Sequence, residues 1–423
     1  MTSQDDQSQF PKFPDADVSI HLSAGRVYGL HAGVLRRNSA RLAELLDDAN
    51  GATLSTKAKR GGITTRFRLD LVHAEIGPGK LVAKPVDANG RSSAGMTALN
   101  IENGKVVSTL YKHYDNLFRA FYNMTPDVDD TNIATVLNDC MGLVDVAESL
   151  GSIACISESV DIALLRQGQI LFRSIAGNPI AWSDLACRVR SPGIFKECLI
   201  HLVGNWQGLD DAQRALIKPE VREICEAKHK QLKLTKMAVE VRALGHYPSS
   251  VQRSVEQSVG RMTYQNNIYM WMAISLFRHW FSQSIVEQRN LTSEDGGALF
   301  YRQLAAGGQA YLDRKALEGF HQYFPMSAKG AAVFTNHLTK YKDEIRHFVA
   351  DLMVNRAQLD TDKHPLPYLT SLQVEREDMP WTKAKLAEET GRAMKDRASK
   401  QKDRADGASE GFRESDSEMP DGI

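Results

Sequence analysis

The sequence has no excess of charge of either sign. Lys and Arg total 52, Asp and Glu total 52, and the formal net charge of the 423 residues is +0. A protein dedicated to nucleic-acid binding relies on excess basic charge to neutralise phosphates. The balance therefore argues against a dedicated nucleic-acid binder, although it leaves room for a local basic patch.

Long apolar runs are also missing. The most apolar stretch, residues 268–277, ends at Arg278 and His279. It is about half of the roughly 20 residues that a helix needs to cross a bilayer. A buried core helix explains it better than a membrane span, so no membrane association is expected. The overlapping run Tyr269–Phe281 is rich in Met and Trp, and core packing again explains it more simply than a cofactor-binding surface.

Cysteine is scarce and its spacing is irregular. The five cysteines are Cys140, Cys155, Cys187, Cys198 and Cys225. An odd number of widely spread cysteines does not fit a disulfide framework. The first residues are polar and acidic, without the apolar core of a signal peptide. We therefore expect core thiols in a reducing compartment, and an intracellular protein of the cytoplasm, the nucleus or both.

Motifs that carry chemistry are absent or incomplete. Neither a Walker A nor a G-x-G-x-x-G motif occurs, and Gly90–Gly95 (GRSSAG) is one residue too long for a nucleophile elbow. The pairs Cys198 with His201 and Cys225 with His229 have zinc-ligand chemistry, but structural zinc sites show tighter, paired spacing. The sequence predicts no catalytic residue, no metal site and no cofactor, hence a protein that is not an enzyme.

A hairpin and a capped helix are predicted near the start of the chain. Residues 18–22 alternate between apolar and polar side chains, Gly25 allows a tight turn, and residues 27–31 return as a second strand. Asn38 or Ser39 can cap the helix that follows. Apolar residues at helical spacing then predict three helices between residues 106 and 165.

The chain as a whole is predicted to be α+β. Its N-terminal α/β domain contains a glycine-rich, partly β insertion, and its charged C-terminal tail is too poor in apolar residues to fold. The predicted parts are a flexible lead (1–14), an α/β domain (15–165) with the insertion (about 47–105), a mostly helical domain (166–380) and a disordered tail (381–423).

The order of hairpin, capped helix, insertion and three helices resembles the BTB/POZ domain, in the form found in many fungal chains. The residues that carry the resemblance are Asp17-Val18, His31 four residues before Leu35, Ser39 with Leu42, and the segments 117–126 and 132–150. The resemblance implies an N-terminal BTB/POZ-like domain that mediates protein–protein contact and self-associates as a dimer.

The resemblance also implies roles for individual residues. Asp17 would form a hydrogen bond near the start of the first strand, His31 would fix the junction between strand and helix, and Ser39 would have a structural role. The candidate contact residues, each of which also fits ordinary core burial, are Val18, Leu30, Val34, Leu35, Leu42 and Phe118.

Two alternative functions stay open for a chain of this kind. One is a substrate adaptor of a Cullin-RING ubiquitin ligase, although Leu42-Ala43-Glu44 places the hydrophobic-x-Glu motif one turn too early. The other is a nuclear transcription-associated regulator that uses the charged tail. Residues 191–206 resemble the BACK-type extension that follows many BTB domains. The expected partners are a second copy and other proteins, a Cullin in the adaptor alternative, and no nucleic acid.

Overall fold

The computed structural model describes residues 10–23, 25–74, 77–92, 101–102, 105–106, 109–129, 131–251, 267–288 and 293–382. The protein is mixed α+β and 60% helical, with a small four-stranded sheet in its N-terminal part and helices in the rest. The predicted fold class is confirmed at this level. The predicted tail lies almost wholly outside the described residues, as does most of the predicted lead.

The chain divides into two compact units. The N-terminal unit contains residues 1–198 and 358–364, and the C-terminal unit contains residues 199–357 and 365–423. The division falls between Cys198 and Leu199, whereas the sequence suggested a boundary near residue 165. Residues 166–198 form helices that belong to the N-terminal unit.

The sheet of the N-terminal unit has the strand order β2-β1-β3-β4. The predicted hairpin pairs β1 with β2 in antiparallel register, with Ile20 opposite Tyr28. β3 runs parallel to β1, and β4 runs antiparallel to β3. The strands are β1 (Val18–Ser23), β2 (Arg26–Leu30), β3 (Phe67–Val72) and β4 (Lys80–Lys84).

The segment expected to form an insertion therefore contributes half of the main sheet. Leu69 and Leu71 of β3 are fully buried, and they continue the apolar face that Ile20 and Leu22 form on β1. A parallel neighbour needs a long crossover between the two strands. The short helices between β2 and β3 supply that crossover.

Nine helices of the N-terminal part are described. Capping side chains fix several of their starts, as at Asn132, whose side chain accepts the Thr135 N–H at 3.0 Å. The helices are α1 (Ala32–Asn38), α2 (Ala40–Leu45), α3 (Thr56–Arg60), α4 (Thr109–Phe121), α5 (Ile133–Ser149), α6 (Ile153–Leu165), α7 (Gln169–Gly177), α8 (Pro179–Val189) and α9 (Pro192–Gly204). A short antiparallel pair, β5 (Ile101–Glu102) and β6 (Lys105–Val106), precedes α4.

A buried carboxylate ties the returning segment 358–364 into the N-terminal unit. Glu197 on α9 is 1% exposed. Its two carboxylate oxygens accept the backbone N–H groups of Gln358, at 2.7 Å, and of Leu359, at 3.1 Å. These charge-assisted hydrogen bonds offset the cost of burying the carboxylate.

The C-terminal unit is helical in all its described elements longer than one turn. The apolar run noted in the sequence lies on α12, where Phe277 and Phe281 are fully buried. None of the described helices has the length and apolar character of a membrane span. The helices are α10 (Asp211–Leu216), α11 (Pro219–Gly245), α12 (Ile268–Gln288), α13 (Ala298–Ala306), α14 (Arg314–Tyr323) and α15 (Ala328–Val349).

Candidate interaction surface

The contact residues predicted from the sequence lie mainly inside the N-terminal unit. Val34 is half-buried. The other five are at most 1% exposed within a single chain, which leaves no surface for a partner: Val18, Leu30, Leu35, Leu42 and Phe118. Their apolar character is explained by core packing, because strand alternation and helical spacing select the same residue types for a core as for an interface.

Asp17 and Ser39 stabilise the starts of the first two helices. The Asp17 carboxylate accepts the N–H of Ala32, the first residue of α1, at 2.7 Å. Asp17 therefore acts on the helix that follows the hairpin and not only at the head of β1. The Ser39 hydroxyl accepts the Leu42 N–H at 3.0 Å and donates to the Leu150 carbonyl at 2.6 Å. Ser39 thus caps α2 and joins it to the end of α5.

His31 connects the strand–helix junction to two other segments. Its Nδ1 lies 2.9 Å from the Tyr122 hydroxyl, and its Nε2 lies 3.1 Å from a carboxylate oxygen of Asp15. The Phe13 ring lies 5.0 Å from the imidazole, centroid to centroid. The hydrogen bond from His31 lowers the pKa of the Asp15 carboxyl below 3.8. These contacts give His31 a structural role.

The residues considered for zinc are not brought together as a ligand set. Among the described residues, no group of three or more His, Cys, Asp and Glu side chains is placed to hold a metal ion. His201 forms a hydrogen bond through Nδ1 to the Tyr368 hydroxyl at 2.9 Å. The His229 ring packs against Trp206, with centroids 6.3 Å apart.

An exposed aromatic cluster lies where α14 meets α15. Tyr323 is 83% exposed and Phe324 is 56% exposed, although both are large side chains that usually find cover. Val333 on α15 is also exposed. We call Phe320, Tyr323, Phe324 and Val333 the aromatic surface.

The aromatic surface is anchored to the core of the C-terminal unit. The rings of Phe324 and Phe320 stack with centroids 4.9 Å apart, and Phe320 stacks on Phe334 at 5.3 Å with only 10° between the ring planes. Phe334 is fully buried. The Phe324 ring is therefore held in place before any partner arrives, which reduces the entropy lost on binding.

Local sequence explains why the chain turns at this point. Phe324 caps the end of α14 with its N–H bonded to the Phe320 carbonyl at 2.9 Å, and Pro325 then prevents the helix from continuing. Ser327 starts α15 by accepting the Gly330 N–H at 3.2 Å. The tight corner places Tyr323 and Phe324 at its tip, where neither helix covers them.

A buried lysine fixes the loop that leads into α14. The Lys342 ammonium donates to the carbonyls of Gly308, Tyr311 and Leu312 at 2.9, 2.6 and 3.0 Å. Lys342 is 3% exposed, and burial lowers its pKa to about 8. Three donors meet three acceptors, so the ammonium is fully satisfied. Asp313 then caps α14 by accepting the Ala316 N–H at 2.9 Å.

The arrangement is typical of a helical protein-interaction module. Exposed aromatic residues on a rigid, well-packed base are the usual anchors of protein interfaces. The sequence did carry a signal for this site, since Tyr323-Phe324-Pro325 places two aromatic residues at a helix end. The surroundings that leave them uncovered could not be read from the sequence.

Comparison with known families finds a match to this same region. A family model described as the FF domain, in its fungal form, matches residues 248–351, about a quarter of the chain. The match spans α12 to α15 and includes the whole aromatic surface. The FF domain is a protein–protein interaction module. No curated protein and no solved structure matches the chain.

The identification of a BTB/POZ domain is wrong, and with it the ubiquitin-ligase adaptor. The matching family is a different one and lies in a different part of the chain. The misleading residues were Val18, Leu35 and Leu42, which are buried core residues. A hairpin followed by a capped helix requires such residues in any fold, so their order does not identify a family.

Proposed function

We propose that this protein is a non-enzymatic interaction scaffold whose aromatic surface binds a segment of a partner protein. The observation that carries the proposal is the exposed pair Tyr323 and Phe324 within the region matched by the FF domain, where the Phe324 ring stacks on Phe320 and Phe320 stacks on the buried Phe334. The bound segment would present an apolar or aromatic side chain to Phe324 and Val333. The odd number and wide spacing of the five cysteines suit a reducing compartment, which supports action inside the cell.

Chemistry favours a peptide segment over a charged ligand at this surface. Near the start of α14, Arg314 is paired with Glu318 at 2.9 Å. The aromatic surface itself consists of apolar and aromatic area, which would be the main source of binding free energy, with Tyr323 able to form a hydrogen bond at the rim.

The test is a selection of binding peptides from a random library with the intact chain as bait. Enriched peptides should share an apolar anchor residue. Truncating one aromatic anchor costs about 2 kcal/mol, or roughly a 30-fold weaker dissociation constant, when that residue is a hot spot. The variants Phe324→Ala and Tyr323→Ala should show this loss when the selected peptides are titrated by fluorescence anisotropy.

A matched control is Leu299→Ala on α13. Leu299 is 58% exposed and lies within the same family match, but outside the aromatic surface. Its variant should bind the selected peptides as the wild type does. Equal binding by all three variants, with unchanged melting temperatures, would place the site elsewhere and remove the proposal.

The regulatory alternative depended on the charged tail, and residues 383–423 lie outside those that the structure describes. Nothing in the described part of the chain favours it over an interaction scaffold. The variants Phe324→Ala and Tyr323→Ala leave the tail unchanged, so a loss of peptide binding in them bears on the aromatic surface and not on the tail.

A further inference from the structure

The aromatic surface lies in a stretch of the chain that has no carboxylate. Residues 319–342 contain three lysines and neither Asp nor Glu. Two of these lysines share a face of α15 with Val333, because Lys329 lies four residues before it and Lys340 seven residues after it. Both lysines are exposed, and neither is paired with a carboxylate within the part of the chain that the structure describes. Apolar area and unpaired positive charge therefore occur together on this face.

The adjoining segments do not neutralise this charge. Helix α12 packs on α15, and residues 267–286 at and beyond its start contain neither Asp nor Glu. On either side of the stretch, the first carboxylates along the chain are those of Glu318, which is paired with Arg314, and Asp343. Asp343 lies about 15 Å beyond Val333 along the axis of α15. The aromatic surface therefore favours a segment that combines an apolar side chain with acidic neighbours.

The tail of this chain contains one such segment. Residues 383–404 have eight basic and four acidic side chains, whereas residues 408–423 have one basic and five acidic side chains. We call residues 408–423 the acidic segment. It holds Phe412, which is the one aromatic residue among residues 383–423. The large apolar residues of the basic part are Leu386 and Met394, whose lysine and arginine neighbours would be repelled by Lys329 and Lys340.

The acidic segment can reach the aromatic surface. The chain leading into the tail is fixed on the C-terminal unit, where Asp378 pairs with Lys228 at 2.6 Å and Met379 is buried. Thirty residues lead from Thr382 to Phe412, a length that spans up to about 100 Å when extended. A unit of this size has a radius of gyration of only about 16 Å. The aromatic surface belongs to the same unit, so the tether sets no barrier to contact.

We propose that the chain's own acidic segment occupies the aromatic surface, with Phe412 against Phe324 and Val333 and its carboxylates beside Lys329 and Lys340. The inference rests on the proposed function, because the segment would compete there with partner segments. Tethering gives an effective concentration of about 1 mM. A segment that binds in trans with a dissociation constant of about 100 μM would then be bound in roughly nine molecules of ten, and would weaken partner binding about tenfold.

The first experiment needs no partner. The full chain carries photoreactive benzoylphenylalanine in place of Phe412 and is irradiated at about 1 μM, far below the effective concentration of the tether. Mass spectrometry of the monomeric product should recover crosslinks to residues 320–333. The matched control carries the same photoreactive group at Leu386, in the basic part of the tail, and should give none there. Crosslinks between two chains, or to another surface of the same chain, would overturn the proposal.

The second experiment measures the competition. In the full chain, Phe412→Ala should tighten binding of the selected peptides about tenfold in fluorescence anisotropy, as should Glu414→Lys combined with Asp416→Lys. The control Leu386→Ala should bind as the wild type does. Unchanged affinity in the Phe412 variant would overturn this inference alone, provided that Phe324→Ala still abolishes peptide binding. Peptide binding that is insensitive to Phe324→Ala would instead remove the proposed function, so the two failures are distinguishable.

Discussion

At the scale of single residues, the cysteines are protected by packing. Cys140, Cys198 and Cys225 are fully buried, and Cys155 and Cys187 are partly covered. Burial raises the pKa of the Cys140 and Cys225 thiols to about 12. The thiolate is the reactive form, so these groups are both inaccessible and protonated at neutral pH.

We therefore predict that at most two thiols react quickly with a disulfide reagent in the native protein at about pH 8. All five should react once the chain is unfolded, and the absorbance of the released thiolate measures both counts. The double variant Cys155→Ser, Cys187→Ser should lose the fast native phase. A fast phase that persists in this variant would show that one of the three core thiols is accessible.

The residue scale also shows where the interaction residues were misread. An apolar residue at a periodic position is informative about burial in the chain's own core, and Leu30 and Phe118 are fully buried there. Tyr323 and Phe324 instead lie beyond the last buried residue of α14, where helical periodicity no longer predicts burial. An interface residue of this kind does not follow the periodic spacing of apolar residues, so a prediction based on that spacing misses it.

At the scale of elements, the aromatic surface depends on the loop held by Lys342. Leu312 has a positive φ of 43°, a conformation that a leucine rarely adopts, and the lysine binds its carbonyl. The Tyr311 ring stacks on Trp280 with centroids 4.2 Å apart, and the Lys342 ammonium lies 4.8 Å from the centroid of the same Tyr311 ring. Lys342 and Trp280 thus both hold the loop before α14 begins.

We expect Lys342→Met to lower the free energy of unfolding by about 2–4 kcal/mol, because the stem is kept but three buried carbonyls lose their donor. Chemical denaturation followed by circular dichroism measures the change. The exposed Lys340→Met on the same helix is the control and should shift stability by no more than about 0.5 kcal/mol. Equal effects of the two substitutions would mean that the carbonyls find other donors.

At the scale of the whole molecule, several partly buried histidines make stability depend on pH. Burial lowers the pKa of His21, His73, His113 and His229 below the ordinary value of 6.5, and for His21 the nearby Arg68 adds to the effect. The unfolded chain binds protons at these sites before the folded chain does. Stability is therefore full above pH 6.5 and decreases as the pH falls below it.

The melting temperature should accordingly fall between about pH 7.5 and about pH 5.5. His113, which is 7% exposed, should contribute most to this pH dependence. The nearby Asp139 carboxylate partly offsets the lowering of the His113 pKa by burial. His113→Gln should reduce the slope of melting temperature against pH, whatever it does to the melting temperature itself. An unchanged slope in differential scanning calorimetry would assign the dependence to other groups.

Much of the secondary structure could be predicted from the sequence because it rests on local rules. Alternation marked β1, the turn at Gly25 marked the returning strand β2, and apolar residues at helical spacing marked α4 and α5. The side chain of Asn132 caps the start of α5. These features depend on neighbours within a few positions, which a sequence displays directly.

Tertiary structure alone decided how these pieces combine. Only the fold shows that β3 lies beside β1, because that pairing depends on distant residues such as Ile20 and Leu69 sharing a core. The same holds for the aromatic surface. Whether an apolar side chain is core or interface depends on what covers it, and cover comes from segments far away in the chain. The sequence by itself determined the elements, while the packing of those elements decided which side chains a partner can reach.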